Sequence, residues 1–313
     1  MLYYNRIPRW FPTLFLIYVQ NSGYHSSSLC DFLDLWLNYY EKTKGEIMFY
    51  VVGERINTSR KKVQEAVIER DAAYIQEDVT KQQEAGAVFI DVNAGARIGH
   101  EMEDMKWLLD VIQETVTVPL CLDSPDPKVL EMAYHMVKEK PMINSISLEK
   151  ERYAAMAPFL KGKECKVIAL CMDDSGMPES ARDTVDRAEQ LVRKLGDLGV
   201  KRDAIFVDPL VQPVGTDVLK AAMVVDAVRS IRKELPGVHI TSGLSNISFG
   251  LPQRKIINRT FVCLMMGAGM DAAIIDPLDQ EMMATIKTTQ MLLGKDDFCT
   301  EFIRAVRAGE IES

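Results

Sequence analysis

The chain has 313 residues, 47% hydrophobic and 26% charged, which suits one large α/β domain or two ordinary ones. A net charge of −8 argues against nucleic acid as the main partner, because phosphate binding needs a basic surface. No apolar run is long enough to span a bilayer, so no membrane partner is expected.

Residues 1–47 hold 11 of the 24 aromatic residues and keep neither a helical nor a strand period. The run WFPTLFLIYV has the apolar character of a signal peptide, but no small-residue cleavage site follows it. Lys44-Gly45-Glu46-Ile47 can be encoded by a purine-rich ribosome-binding sequence just ahead of the Met48 codon. Met48 is therefore expected as the start of the protein, with 1–47 a non-native or disordered extension and 48–313 one domain.

From Met48 a pattern of apolar runs and amphipathic segments repeats eight times. The predicted strands are FYVVGERIN, VFIDVN, VPLCLDS, PMINSIS, KVIALCM, AIFVDPL, HITSGLSN and AAIIDPL. Each is rich in Val, Ile and Leu, as strands buried on both faces are. Helical patterns lie between them, the first a long one over 61–84, with Gly86, Gly199 and Gly294 after helix ends and Pro127 and Pro252 near starts. Eight βα units in this length predict a single (β/α)8 TIM barrel, with a doubly wound sheet as the alternative.

Polar residues end nearly every predicted strand: Glu54 and Asn57, Asp91 and Asn93, Asp123 and Ser124, Asn144 and Ser145, Asp208, Ser245 and Asn246, and Asp276. A barrel would aim them into one mouth. Capping of the following helices explains any one of them equally well, Ser245 and Asn246 included. His135 lies in a helix, His239 begins strand seven at the opposite end, and His100 is in a loop. Histidine general-base chemistry and a Ser-His-Asp arrangement are thus not expected. Cys30, Cys121, Cys165, Cys171, Cys263 and Cys299 show no CxxC or Cys/His ligand spacing. They read as buried free thiols of a reducing cytoplasm, with no intrinsic metal. A mouth of carboxylates and carboxamides suits a flat heterocycle with donors and acceptors on its edge, pterin and purine alike.

The motifs GERIN, IDVNAGA, LCLDS, MINSIS, FVDPL, GLSN and NRTF occur in this order between Met48 and Met291. Their succession resembles the pterin-binding methyltransferases that act on 5-methyltetrahydrofolate and corrinoid proteins. That family is related to the folate domain of cobalamin-dependent methionine synthase and, more distantly, to dihydropteroate synthase. The resemblance implies that Asp123, Asn144 and Asp208 hold the pterin and that Asn246 sits near N5, the methyl-bearing nitrogen. It also implies that Gly243 lets the backbone approach the ring and that Arg254 matches an arginine after that loop. Ser245, Ser248, Glu54, Asp91 and Asn93 complete the expected substrate-binding set. The resemblance also implies a polar residue, as one family member carries, where this chain has Phe249. A corrinoid protein partner, a homodimer and a cytoplasmic location follow from the same likeness.

Methyl transfer from N5 needs that nitrogen to gain positive character, because a tertiary amine leaves poorly. An amide at N5 serves this by donating or accepting as charge changes. The resemblance implies two other readings, a dihydropteroate-synthase-like pterin transferase and a non-catalytic pterin-binding component of a corrinoid complex. The first lacks its Pro-Asp-Ser-Phe loop and late Lys and Arg-His motifs here.

Overall fold

The computed structural model describes residues 49–311. The expectations for residues 1–47, the Met48 start and Cys30 lie outside the described residues. Eight parallel strands form one sheet: β1 (Tyr50–Asn57), β2 (Phe89–Asn93), β3 (Leu120–Asp123), β4 (Met142–Ile146), β5 (Lys166–Leu170), β6 (Ile205–Asp208), β7 (His239–Ile240) and β8 (Ala272–Ile275). Each strand pairs with its sequence neighbours, and β1 pairs with β8. Backbone bonds from Asp271 N–H to Ile240 O (3.2 Å) and Ile274 N–H to Ser242 O (3.0 Å) close β7 onto β8. The expected (β/α)8 barrel is therefore present.

Among the described residues ten helices accompany it: α1 (Lys61–Glu69), α2 (Ala72–Glu84), α3 (Glu101–Gln113), α4 (Pro127–Met136), α5 (Lys150–Leu160), α6 (Ala181–Asp197), α7 (Lys220–Glu234), α8 (Arg254–Ala268), α9 (Gln280–Leu292) and α10 (Thr300–Arg307). The long helix expected over 61–84 is two. Arg70 adopts a left-handed conformation (φ 56°) and Asp71 caps the new helix by accepting from Tyr74 N–H. No Gly or Pro marks this break. Tertiary contacts fix it instead, because the Arg70 guanidinium pairs with Glu103 and Asp104 and lies 5.2 Å over the Trp107 ring.

The packing has two layers. Most buried side chains fill the space between strands and helices. A second cluster, Val52, Phe89, Cys121, Met142, Ile168, Phe206 and Ala272, comes from seven strands and plugs the barrel interior. Gly53 shows how closely α2 approaches β1: a Cβ there would lie 2.2 Å from Gln82 Oε1. At the bottom of the barrel, His239 stacks on Phe206 with ring centroids 4.5 Å apart, and its Nδ1 lies 2.9 Å from Asp271 Oδ2. Burial pushes Asp271 up. Hydrogen bonds from His239 and Ile240 N–H, with the Arg232 charge, outweigh it and hold the carboxyl below its ordinary range. His239 thus belongs to the stabilising end, as the sequence suggested. Among the described residues no helix is long and apolar enough to cross a membrane.

Candidate active site

Side chains two residues apart on a strand face the same way. One step above the plug of Val52, Phe89, Cys121, Met142 and Phe206 stand Glu54, Asp91, Asp123, Asn144 and Asp208. Five of the polar strand ends expected at one mouth therefore share one layer, directly over an apolar floor. Asn93 Nδ2 donates to Asp123 Oδ2 at 2.7 Å, and Asn144 Nδ2 to Asp91 Oδ1 at 3.3 Å. Asp208 Oδ1 accepts from Leu210 N–H at 2.8 Å.

Burial dominates the electrostatics of this layer. It pushes Asp208 up to about 6, although hydrogen bonds from the N–H groups of Leu210 and Gly243 pull the other way. Burial, then the neighbouring Asp123 charge, drives Asp91 well above the ordinary carboxyl range. Asp123 is raised by burial too, against its hydrogen bond from Asn93 and the charge of Arg152. Glu54 is raised to about 7, first by burial and next by the Asp276 charge. Such crowding of carboxyls over an apolar floor favours binding partners that donate hydrogen bonds.

The strand expected over HITSGLSN is regular only at His239–Ile240. Thr241 N–H still bonds Val207 O, but from Gly243 the chain winds into a 3-10 turn, Leu244–Ser248, that carries Asn246. A Cβ on Gly243 would lie 3.2 Å from Asn246 Nδ2, so glycine leaves room for that amide. Arg254 staples the turn, its Nε donating to Ser248 Oγ (3.0 Å) and its terminal nitrogen to Ser245 O (2.8 Å). The capping explanation for Ser245 and Asn246 fails, since Gln253 is the N-cap of α8, in a left-handed conformation and without a side-chain cap bond. Asn246 itself is exposed, as is Phe249.

The sequence pattern of the family described as "Pterin binding enzyme" matches residues 53–276, which carry every one of these side chains. The chain belongs to the pterin binding enzyme family. It is 36% identical over 263 residues to a methylcorrinoid:tetrahydrofolate methyltransferase of Eubacterium limosum, covering 83% of this chain and 97% of that protein. It is 30% identical over 238 residues to methionine synthase of Mycobacterium tuberculosis, covering 72% of this chain but 20% of that longer protein. Among solved structures it resembles dihydropteroate synthase of Coxiella burnetii in complex with pteroic acid (TM-score 0.59, 14% identity, 78% of this chain and 94% of that one). The Xanthomonas albilineans enzyme with 7,8-dihydropteroate is similar (TM-score 0.56, 14% identity, 79% and 93%). At those identities the likeness is one of fold alone.

This pterin binding enzyme also uses some strand-end residues for turns. Asn57, Asn93, Asp208 and Asp276 each accept from the backbone N–H two residues on, in Asx-type turns. Asp91, Asp123, Asn144 and Glu54 do not. Sequence reasoning missed Arg152 at the start of α5. Its guanidinium bonds Ser124 O (3.1 Å), Ser145 O and Pro125 O, tying the loop after β3 to the end of β4 beside Asp123. It also missed Asn258 on α8, whose buried Oδ1 has no donor among the described residues. The NRTF motif contains Asn258, yet no spacing rule distinguishes it from a surface helix residue. The thiols are only partly as expected. Cys121, Cys165 and Cys171 are buried, but Cys263 is half-buried and Cys299 exposed, because the last two lie on outer helical segments. Among the described residues no group of three His, Cys, Asp or Glu could hold a metal ion.

Proposed function

We propose that this enzyme transfers a methyl group between N5 of 5-methyltetrahydrofolate or tetrahydrofolate and the cobalt of a corrinoid carried by a partner protein. The observation that carries this reading is the 36% identity maintained over 97% of a methylcorrinoid:tetrahydrofolate methyltransferase. The donor set fits a pterin. A buried layer of carboxyls and an amide oxygen meets the amino and N–H donors of the ring, and amide N–H groups meet its acceptors.

Asp123, Asn144 and Asp208 hold the ring, with Asp91 and Asn93 behind them and Glu54 at the edge of the mouth. Asn93 orients Asp123, and Asp91 orients the Asn144 amide. Asn246 serves N5, donating to its lone pair or accepting from its proton, and gains strength as charge develops there. Gly243 gives that amide its space, while Ser245, Ser248 and Arg254 fix its turn. When bound by its own protein, the corrinoid supplies a cobalt centre that accepts or gives the methyl. Exposed Ile98, Val218, Leu219 and Phe249 on loops at the mouth offer that protein an apolar surface. A homodimer in the cytoplasm belongs to the same reading. Dihydropteroate synthesis draws support from fold likeness alone.

The test is to mix the protein with 5-methyltetrahydrofolate and free cob(I)alamin and follow the cobalt spectrum, then to repeat with methylcobalamin and tetrahydrofolate. Transfer in either direction is expected. Folate binding without transfer in either direction would leave only a pterin-binding component.

A further inference from the structure

Glu54 differs from the other mouth carboxyls in its partners. Asp208 accepts from backbone N–H groups, Asp123 from Asn93 and Asp91 from Asn144. Glu54 accepts no hydrogen bond from any described residue. The strand bulges at this point: Gly53 pairs with Ile90 and Ile56 with Val92, so Glu54 and Arg55 together oppose Asp91. A bulge re-aims side chains. Arg55 turns to Asp78 and Asp276, both at 2.8 Å, while Glu54 lines a cleft with Leu244, Ser245, Asn258, Asp276 and Asp279. Leu244 and Ser245 immediately precede Asn246 in its turn. The cleft also takes in Asn258, whose buried Oδ1 lacks a donor. A carboxyl without a partner and an amide oxygen without a donor thus share one cleft beside the Asn246 turn. A protonated carboxyl or a ligand N–H is the kind of group that satisfies such an oxygen.

We propose that Glu54 is the acid–base residue of the methyl transfer, giving a proton to the pterin N5 as the methyl leaves and taking it back in the reverse reaction. This rests on the transferase reading above. In the forward direction the methyl carbon forms a bond to the corrinoid cobalt, whose electron pair enters that bond. The carbon–nitrogen pair stays on N5, which ends as N5–H. One proton therefore enters the forward reaction and one leaves the reverse. Asn246 has none to exchange near neutral pH. Burial, aided by the Asp276 charge and opposed by Arg60 and Arg254, brings Glu54 up to about 7, so both of its forms are available there. The charged groups around it are Asp91 from β2, Arg60 from the loop after β1, Arg254 from α8, and Asp276 and Asp279 from the segment between β8 and α9.

The test compares wild type, Glu54→Gln and Glu54→Asp in single-turnover transfer between folate and free cobalamin, in both directions, across pH 5–9, with folate affinity and melting temperature alongside. In wild type the forward rate should fall, and the reverse rate rise, as pH increases through about 7. Glu54→Gln should lose roughly 100-fold in both rates and lose the inflection, with folate affinity kept within about threefold. Glu54→Asp should keep a displaced inflection and part of the rate. An unchanged inflection in Glu54→Gln overturns the role and leaves the transferase reading standing. A loss of folate affinity as large as the loss of rate overturns it also, by making Glu54 a binding group. If Glu54→Gln does not fold, an inflection in Glu54→Asp identical to wild type overturns it. Wild type inactive in both directions removes the transferase reading and this role with it.

Discussion

Asn93 and Asp123 face one another across β2 and β3, with Asn93 Nδ2 donating to Asp123 Oδ2 at 2.7 Å. The bond fixes the carboxylate plane and leaves Oδ1 free of any described side-chain donor. Asp123→Ala should therefore weaken folate binding while changing single-turnover transfer at saturating folate much less, because a ring-holding contact is alike in ground and transition states. Asn93→Ala should weaken binding in the same direction by a smaller factor. Equilibrium titration with single-turnover kinetics checks both, and a collapse of turnover at saturation would assign Asp123 to the chemistry instead.

Asn246 should behave in the opposite way. Its side chain is exposed and caps no helix, so Asn246→Ala should leave the melting temperature nearly unchanged. Losing a preorganised group at a nitrogen whose charge changes costs about 3 kcal/mol of transition-state stabilisation, roughly two orders of magnitude in rate. Folate affinity should change far less. Normal turnover in this variant would refute the role.

Asp208 should reveal its burial as a pH-dependent cost. Its carboxyl rises from an ordinary 3.8 to about 6, so between those values the folded protein holds a proton that the unfolded chain has lost. Stability from this group is full below about pH 4 and declines as pH rises through 6, by an amount on the order of 3 kcal/mol. Asp208→Asn removes that decline. It should match wild type in denaturant melts at pH 4, exceed it at pH 8, and bind folate more weakly. Equal stability at both pH values would show that the carboxyl is not destabilised by burial.

A protein beginning at Met48 should keep the melting temperature and activity of the full chain, because the barrel pattern starts there. Comparison of the two by thermal melts and methyl transfer decides this, and a large loss in either would make residues 1–47 part of the working protein.

Metal analysis of the purified protein should find no stoichiometric zinc, and chelator treatment should leave transfer intact. No ligand cluster exists among the described residues to hold an ion. Zinc whose removal abolishes transfer would overturn the assignment of roles.

The barrel was legible because its signals are local and periodic. Runs such as VFIDVN and AIFVDPL carry the strand pattern themselves, and the helical pattern over 61–84 shares its outer limits with α1 and α2, Lys61 and Glu84. Asp123, Asn144 and Asn246 were singled out by the family resemblance that LCLDS, MINS and GLSN carry, and register puts Asp123 and Asn144 on neighbouring strands. The break at Arg70 was not legible, since partners on α3 and not the local sequence hold that residue left-handed. Nor was the short β7. HITSGLSN reads as strand throughout, but Gly243 turns the chain once β6 and β8 have satisfied its backbone. Which polar strand ends share the layer over the apolar plug was settled by register, where a shift of one residue reverses a side chain's direction. The same holds for Glu54, whose place in the cleft depends on a bulge seen only when β1 pairs with β2. The raised carboxyls come last in this order, because burial is a property of the assembled barrel and no single segment encodes it.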